Sequence, residues 1–160
     1  MKIDPKVIKG KIEAFSAAFG RFQKVEINGK KAIIFLIKNP TGANEVIRTI
    51  ATQDKINLLA VLNDNIADGR DVSWIWDTNW EALTSKVRLA TVGGTRAQDL
   101  ATRFKYAEIP LNKDNVHEDI NYSLQKSLAS LDTKDTLLIL PTYTAMLELQ
   151  KHIGGKWHKD

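Results

Sequence analysis

Four aspartates, Asp64, Asp68, Asp71 and Asp77, share one stretch, NDNIADGRDVSWIWD, with Asn63, Asn65, Arg70, Trp74 and Trp76. Carboxylates gathered in this way can hold a divalent cation, bind a small polar ligand, or fix the tautomer of a histidine base and stabilise the imidazolium it becomes. Aspartate, asparagine and glycine are also ordinary turn formers, so the same stretch reads equally as a structural loop. Its position in the chain is suggestive. The run Ile56 to Leu62 just before it is apolar without alternation, the pattern of a strand covered on both faces. In an open α/β sheet, ligands sit outside the carboxyl ends of the strands, which is where these acids would fall.

Other elements must build that sheet. Asp4 and Pro5 predict the start of a helix within residues 1–19, with Ile8, Ile12, Phe15 and Phe19 on one face. FQKVEINGKKAIIFLI predicts two strands joined by Asn28-Gly29, because both central residues of a type I′ turn need positive φ. The first arm, near Arg21 to Ile27, should be an antiparallel edge strand, and the second, Ala32 to Ile37, a buried one. After a turn at Asn39 to Gly42, a helix should bury Ala43, Val46, Ile47 and Ile50.

Beyond the acidic stretch, a short helix is expected at Trp80 to Ser85 and a strand at Val87 to Val92. Gly93-Gly94 should turn into a helix opened by Thr95 and Gln98, at capping-box spacing, with Ala97, Leu100, Ala101 and Phe104 inward. A short strand at Ala107 to Pro110 precedes a helix capped by Asn115 or Glu118, with Ile120, Leu124, Leu128 and Leu131 inward. A strand at Thr136 to Leu140 is followed by a helix from Pro141-Thr142, with Ala145, Met146, Leu149 and Ile153 inward and Gly154 as its stop. Residues 154–160 should fray. The alternation predicts one α/β domain over 1–160, Rossmann-like, with a mostly parallel sheet of about six strands and helices on both faces.

Composition removes several functions. The 43% apolar and 26% charged fractions are those of an ordinary globule with its own core. No apolar run approaches the roughly 20 residues needed to cross a bilayer, and MKIDPKVIKG lacks a signal-peptide core, so a cytoplasmic chain without membrane insertion is expected. The absence of cysteine excludes a disulfide framework, a thiolate zinc site and a cysteine nucleophile from this chain. A net charge of +4, spread rather than striped, gives no reason to expect nucleic acid.

Several motifs fall short of a chemistry. His117, His152 and His158 lack metal-ligand spacing. VGGTRAQDL matches no phosphate-binding glycine loop, and NDNIADGRD departs from the calcium-loop pattern. Trp74 and Trp76, near Arg70, are core or loop anchors, or an interface. Asn39 and Thr41 follow a strand and should share a rim with the acids.

The residues resemble a known family. GRFQKVEINGKKAIIFLIKNPTGANEVIRTI is similar to the opening of the C-terminal domain of Mur ligases, keeping the frame of Pro40 and Gly42 while the family's Asp and His are replaced around Ile37 to Asn39. LNDNIADGRDVSWIWD and LPTYTAMLEL resemble the C-terminal domain of the MurT family, the ligase-like subunits of lipid II isoglutaminyl synthase, and the resemblance covers nearly the whole chain. It implies the Mur ligase C-terminal-domain fold. It also implies a function in which this subunit and a glutaminase partner, GatD, amidate the α-carboxyl of D-glutamate in the lipid II stem peptide. ATP activates the carboxylate as an acyl phosphate, and ammonia from glutamine displaces the phosphate.

In that family the glutaminase brings a cysteine nucleophile and a histidine base, and an aspartate from the MurT C-terminal domain completes the triad. The resemblance implies that Asp71, or else Asp68, is catalytic. Asp64, Asn65, Arg70, Trp74 and Trp76 would face the partner, and Asn39 and Thr41 would lie on the substrate rim. ATP and magnesium would belong to the full-length subunit and zinc to its central domain. This domain alone is expected to bind no cofactor and to catalyse nothing. The alternative is a stand-alone α/β module whose acidic loop takes a small ligand or a divalent cation.

Overall fold

The computed structural model describes residues 22–153. The helix expected within 1–19 and the tail at 154–160, with Gly154, lie outside the described residues. Strands β1 (Phe22–Ile27) and β2 (Lys30–Phe35) form the antiparallel hairpin, and Asn28 and Gly29 turn it with φ of 52° and 76°. Two successive left-handed residues match the right-handed twist of the arms, as Asn-Gly demands. Helix α1 (Pro40–Ile50) comes next, with Asn39 Oδ1 accepting from the Gly42 amide at 2.8 Å and Pro40 at the first helical position, where no N–H is needed. Its buried residues are Ala43, Val46, Ile47 and Ile50, as the spacing predicts.

Strand β3 (Ile56–Val61) is buried throughout, and β4 (Val87–Gly93) leads to α2 (Ala97–Tyr106). A two-residue strand β5 (Val116–His117), helix α3 (Ile120–Ala129), strand β6 (Thr136–Pro141) and helix α4 (Tyr143–His152) complete the order. The sheet runs β1-β2-β6-β3-β4-β5, with every neighbouring pair parallel except β1 with β2.

The period of two along β3 and β6 sends their apolar side chains alternately to the two covered faces of the sheet. Leu58, Ala60, Leu138 and Leu140 pack with α1 and α2 on one face. Leu59, Val61, Leu137 and Ile139 pack with α3 and α4 on the other. Parallel strands end together, so Asn39, the loop from Asn63, Gly94 and Thr142 all come after strand ends on one rim.

Several expectations need correcting. Ala107 to Pro110 is no strand: Ala107 and Ile109 are buried, but Glu108 turns the chain with φ 57°, and the far edge of the sheet is β5. Apolar side chains there mark burial rather than pairing, and proline has no N–H to give a ladder. Helix α3 is capped by Asp119, whose Oδ1 accepts from the Tyr122 amide at 2.8 Å, whereas Asn115 donates to the Ala90 carbonyl at 3.0 Å. Helix α2 starts after Arg96 without a side-chain cap, because the Thr95 hydroxyl turns to Asp64. Trp80–Leu83 is a 3₁₀ turn, and Ala101 and Met146 are only half-buried.

Candidate functional site

Asn63, the second residue after β3, is buried and ties three strand ends together. Its amide N–H donates to Thr142 Oγ1 at 3.0 Å, its side-chain Nδ2 to Thr144 Oγ1 at 3.0 Å, and its Oδ1 accepts from the Thr95 amide at 3.0 Å. A buried amide with its donor and acceptor both engaged gives the acidic loop a fixed point of departure. Gly94 makes this approach feasible. Its φ is +96°, and a Cβ there would strike the Leu62 carbonyl and lie 2.7 Å from Asn63 Oδ1. At Gly93 a Cβ would lie 2.9 Å from Ser123 Oγ. These glycines serve the packing of β3 against β4 and α3, and neither frames an open phosphate cradle.

The acids fall into distinct environments. Asp64 Oδ1 accepts from the Thr95 hydroxyl at 2.9 Å, and its Oδ2 lies 3.7 Å from the Arg96 guanidinium, which also pairs with Asp99 at 2.9 Å. Asp68 spends both oxygens on Thr144: Oδ1 accepts from the Thr144 amide at 2.8 Å and Oδ2 from the Thr144 hydroxyl. The Asn65 side chain donates to that same hydroxyl oxygen at 2.8 Å.

Asp71 differs from both. It is exposed, and its Oδ1 accepts from the Ser73 amide at 2.8 Å. The hydroxyl and then the amide of Ser73 hold its carboxyl below the ordinary aspartate value. Asp77 is also exposed and closes the 3₁₀ turn Ser73–Trp76.

The aromatic end of the loop is anchored from α2. Arg103, buried among apolar residues, donates through Nε to the Ile75 carbonyl at 3.2 Å and through one terminal nitrogen to the Thr78 carbonyl at 2.9 Å, and pairs with Glu81 at 2.8 Å. Trp80 is fully buried, donates to the Ile75 carbonyl at 3.2 Å and packs on Phe104. Trp74 is half-buried against the same core. Trp76 is 49% exposed and Tyr106 71%, and the two rings meet edge to face at 5.5 Å. Asn44 of α1 accepts from the Asn79 amide at 2.8 Å, closing the other side.

Between these anchors an open cavity of about 290 Å³ is walled by Arg70, Asp71, Ser73, Trp76, Arg96 and Asp99. Arg70 is exposed, like Ile66 at the loop's tip. Asn39 is spent on capping α1, and Thr41 is exposed in its first turn. Thr144, Thr95, Arg103 and Tyr106 were not marked by the sequence, because their partners are remote in it. An exposed carboxylate held on an anchored loop can accept the N–H of an imidazole from another molecule. Among the described residues no three histidine or acidic side chains converge as a metal site needs.

Residues 36–146 match the MurT ligase C-terminal family. The chain is 34% identical over 155 residues to the lipid II isoglutaminyl synthase (glutamine-hydrolyzing) subunit MurT of Streptococcus pneumoniae, covering 96% of this chain and 34% of that protein. It is 33% identical over 156 residues to the subunit of the same name from Staphylococcus aureus, strain COL, covering 95% and 34%. It thus spans about a third of the length of these curated relatives. The fold also resembles folylpolyglutamate synthase of Thermotoga maritima, with a TM-score of 0.53 at 16% identity over 99% of this chain and 36% of that one. A family match that runs from the end of β2 into α4, with the acidic loop inside it, places the chain in the MurT ligase C-terminal family.

Proposed function

We propose that this chain is the C-terminal domain of the ligase-like subunit of a glutamine-dependent amidotransferase that converts the D-glutamate of the lipid II stem peptide to D-isoglutamine. In this reading the rim docks the glutaminase subunit GatD, and Asp71 supplies the carboxylate that orients and charges the partner's histidine. The observation that carries it is the contrast between the two candidate acids. Asp68 has both oxygens engaged by Thr144 within the fold, whereas Asp71 is exposed and, among the described residues, its only partner is its near neighbour Ser73.

The arrangement suits a split site. A histidine base needs its second nitrogen held by an acceptor, and the acceptor must arrive in a fixed orientation. Asp71 is held by Ser73 and followed by the buried Val72 and Ile75. Exposed Trp76, which lines the same cavity, and Tyr106 packed on it have the composition of a docking surface with aromatic anchors. The ATP and magnesium of the ligation, and the zinc of the central domain, belong to segments of the full-length subunit outside this chain. By itself the chain is inert toward ATP and glutamine, and it works at the cytoplasmic face, where lipid II presents its stem peptide.

Titrating the isotope-labelled chain with the glutaminase subunit tests the docking. Amide shifts concentrated between Asp64 and Trp76 and at Tyr106 are expected. Shifts confined to α3 and the β1 edge, or none at equimolar partner, would refute it.

A further inference from the structure

Helix α4 is not capped by its own N-cap residue. Thr142 occupies that position but makes no side-chain cap bond, its hydroxyl oxygen being used by the Asn63 amide. The acceptor for the first turn comes instead from 76 residues upstream: Asp68 takes the amide and the hydroxyl of Thr144. The Thr144 hydroxyl is then a saturated node, donating to Asp68 and accepting from the side chains of Asn63 and Asn65. A carboxylate at a helix N-terminus is favoured both by the unpaired amides and by the helix dipole.

A short turn connects this node to the exposed carboxylate. Asp68 and Gly69 close it on the Asn65 carbonyl, at 2.8 and 3.1 Å, and Gly69 takes φ +91° to send the chain toward Arg70 and Asp71. Downstream, Val72 and Ile75 are buried. The segment bearing Asp71 is therefore pinned at both ends, and its upstream pin joins the loop after β3 to the helix after β6.

We propose that Thr144 and Asp68 form a latch that positions Asp71 for the partner's histidine. Asp68 is a positioning residue, acting through the N-terminus of α4, and the specific atom that sets it is the Thr144 hydroxyl. The latch rests on the assignment of Asp71 as the carboxylate of the split site. Losing the latch leaves that carboxylate chemically intact but lets it wander, which lowers the rate of glutamine hydrolysis without weakening glutamine binding.

The test uses the full-length ligase subunit reconstituted with its glutaminase. Thr144→Val, which keeps the shape and loses the hydroxyl, should lower kcat for glutamine hydrolysis about tenfold with KM within about twofold, since a misplacement near 1 Å carries losses of that order or larger. Thr144→Ser should restore it. Asp68→Asn, which can still accept from the Thr144 amide, should lose less than Asp68→Ala. The decisive arm is the double variant. Thr144→Val with Asp71→Asn should be no slower than Asp71→Asn alone, because the latch acts only through that carboxylate. General damage to the fold would add to the Asp71→Asn loss and would overturn the latch, as would an unchanged kcat in Thr144→Val. A normal rate in Asp71→Asn alone removes the assignment of Asp71 and the latch with it, whereas a slow Asp71→Asn beside a normal Thr144→Val removes only the latch.

Discussion

The guanidinium of Arg103 lies 5.5 Å from the centre of the Trp76 ring while its nitrogens hold the carbonyls of Ile75 and Thr78. One buried cation thus satisfies the turn that ends the acidic loop and supports the exposed tryptophan beside Asp71. Arg103→Met should cost about 3 kcal/mol, since it takes the donor from buried carbonyls and leaves Glu81 without its partner. Glu81→Gln should cost less than about 1 kcal/mol, because Glu81 is half-exposed and screened. Urea unfolding followed by tryptophan fluorescence measures both, and equal losses would contradict this division.

Gly94 offers a second, purely steric prediction. Gly94→Ala places a Cβ against the Leu62 carbonyl and Asn63 Oδ1 at φ +96°, so it should destabilise by about 3 kcal/mol. Gly29→Ala, also at positive φ but with open space around it, should cost about 1 kcal/mol. Thermal melts of the two variants rank them, and the reverse order would show that β3 and β4 leave room for a side chain between them.

Ser73 sets the charge of Asp71. Ser73→Ala removes the hydroxyl, the larger of the two influences that depress the Asp71 pKa, so the titration midpoint should rise toward the ordinary aspartate value while staying below it, held by the remaining amide. A depressed carboxyl contributes stability above its unfolded pKa and loses it as the pH falls through the folded value, so any deficit of the variant is present at neutral pH and disappears in acid. Carbon-detected NMR titration of the carboxyl reads the midpoint directly. A midpoint that falls or stays fixed would contradict the assignment.

Local demands were legible in the sequence. Asn28-Gly29 announced its hairpin because the φ values of a type I′ turn depend on those two residues alone, and the buried stripe of α1 came from helical spacing. The acidic loop was legible too, as acids placed past a buried strand. Partnerships set by tertiary structure were not. Asp68 is bonded to a helix 76 residues away, and Arg103 has the sequence context of a solvated helix residue yet is buried because the loop's carbonyls converge on it. Asn115 and Glu118 had plausible capping positions, but Asp119 won because its side chain faces the Tyr122 amide while Asn115 is drawn to β4. The two-residue β5 carries too little pattern to be read, and the apolar AEIP segment mimicked it.

Whether Asp71 belongs to the glutaminase reaction is measured most directly by glutamine hydrolysis in the reconstituted complex carrying Asp71→Asn. The exchange keeps the shape and leaves one oxygen to accept from the Ser73 amide, while it removes the charge and turns the other oxygen into an N–H donor that cannot accept from an imidazole. A split site that uses this carboxylate predicts a fall in kcat of at least about tenfold, with the complex still assembled on a sizing column. An assembled Asp71→Asn complex that hydrolyses glutamine at the unaltered rate would contradict it.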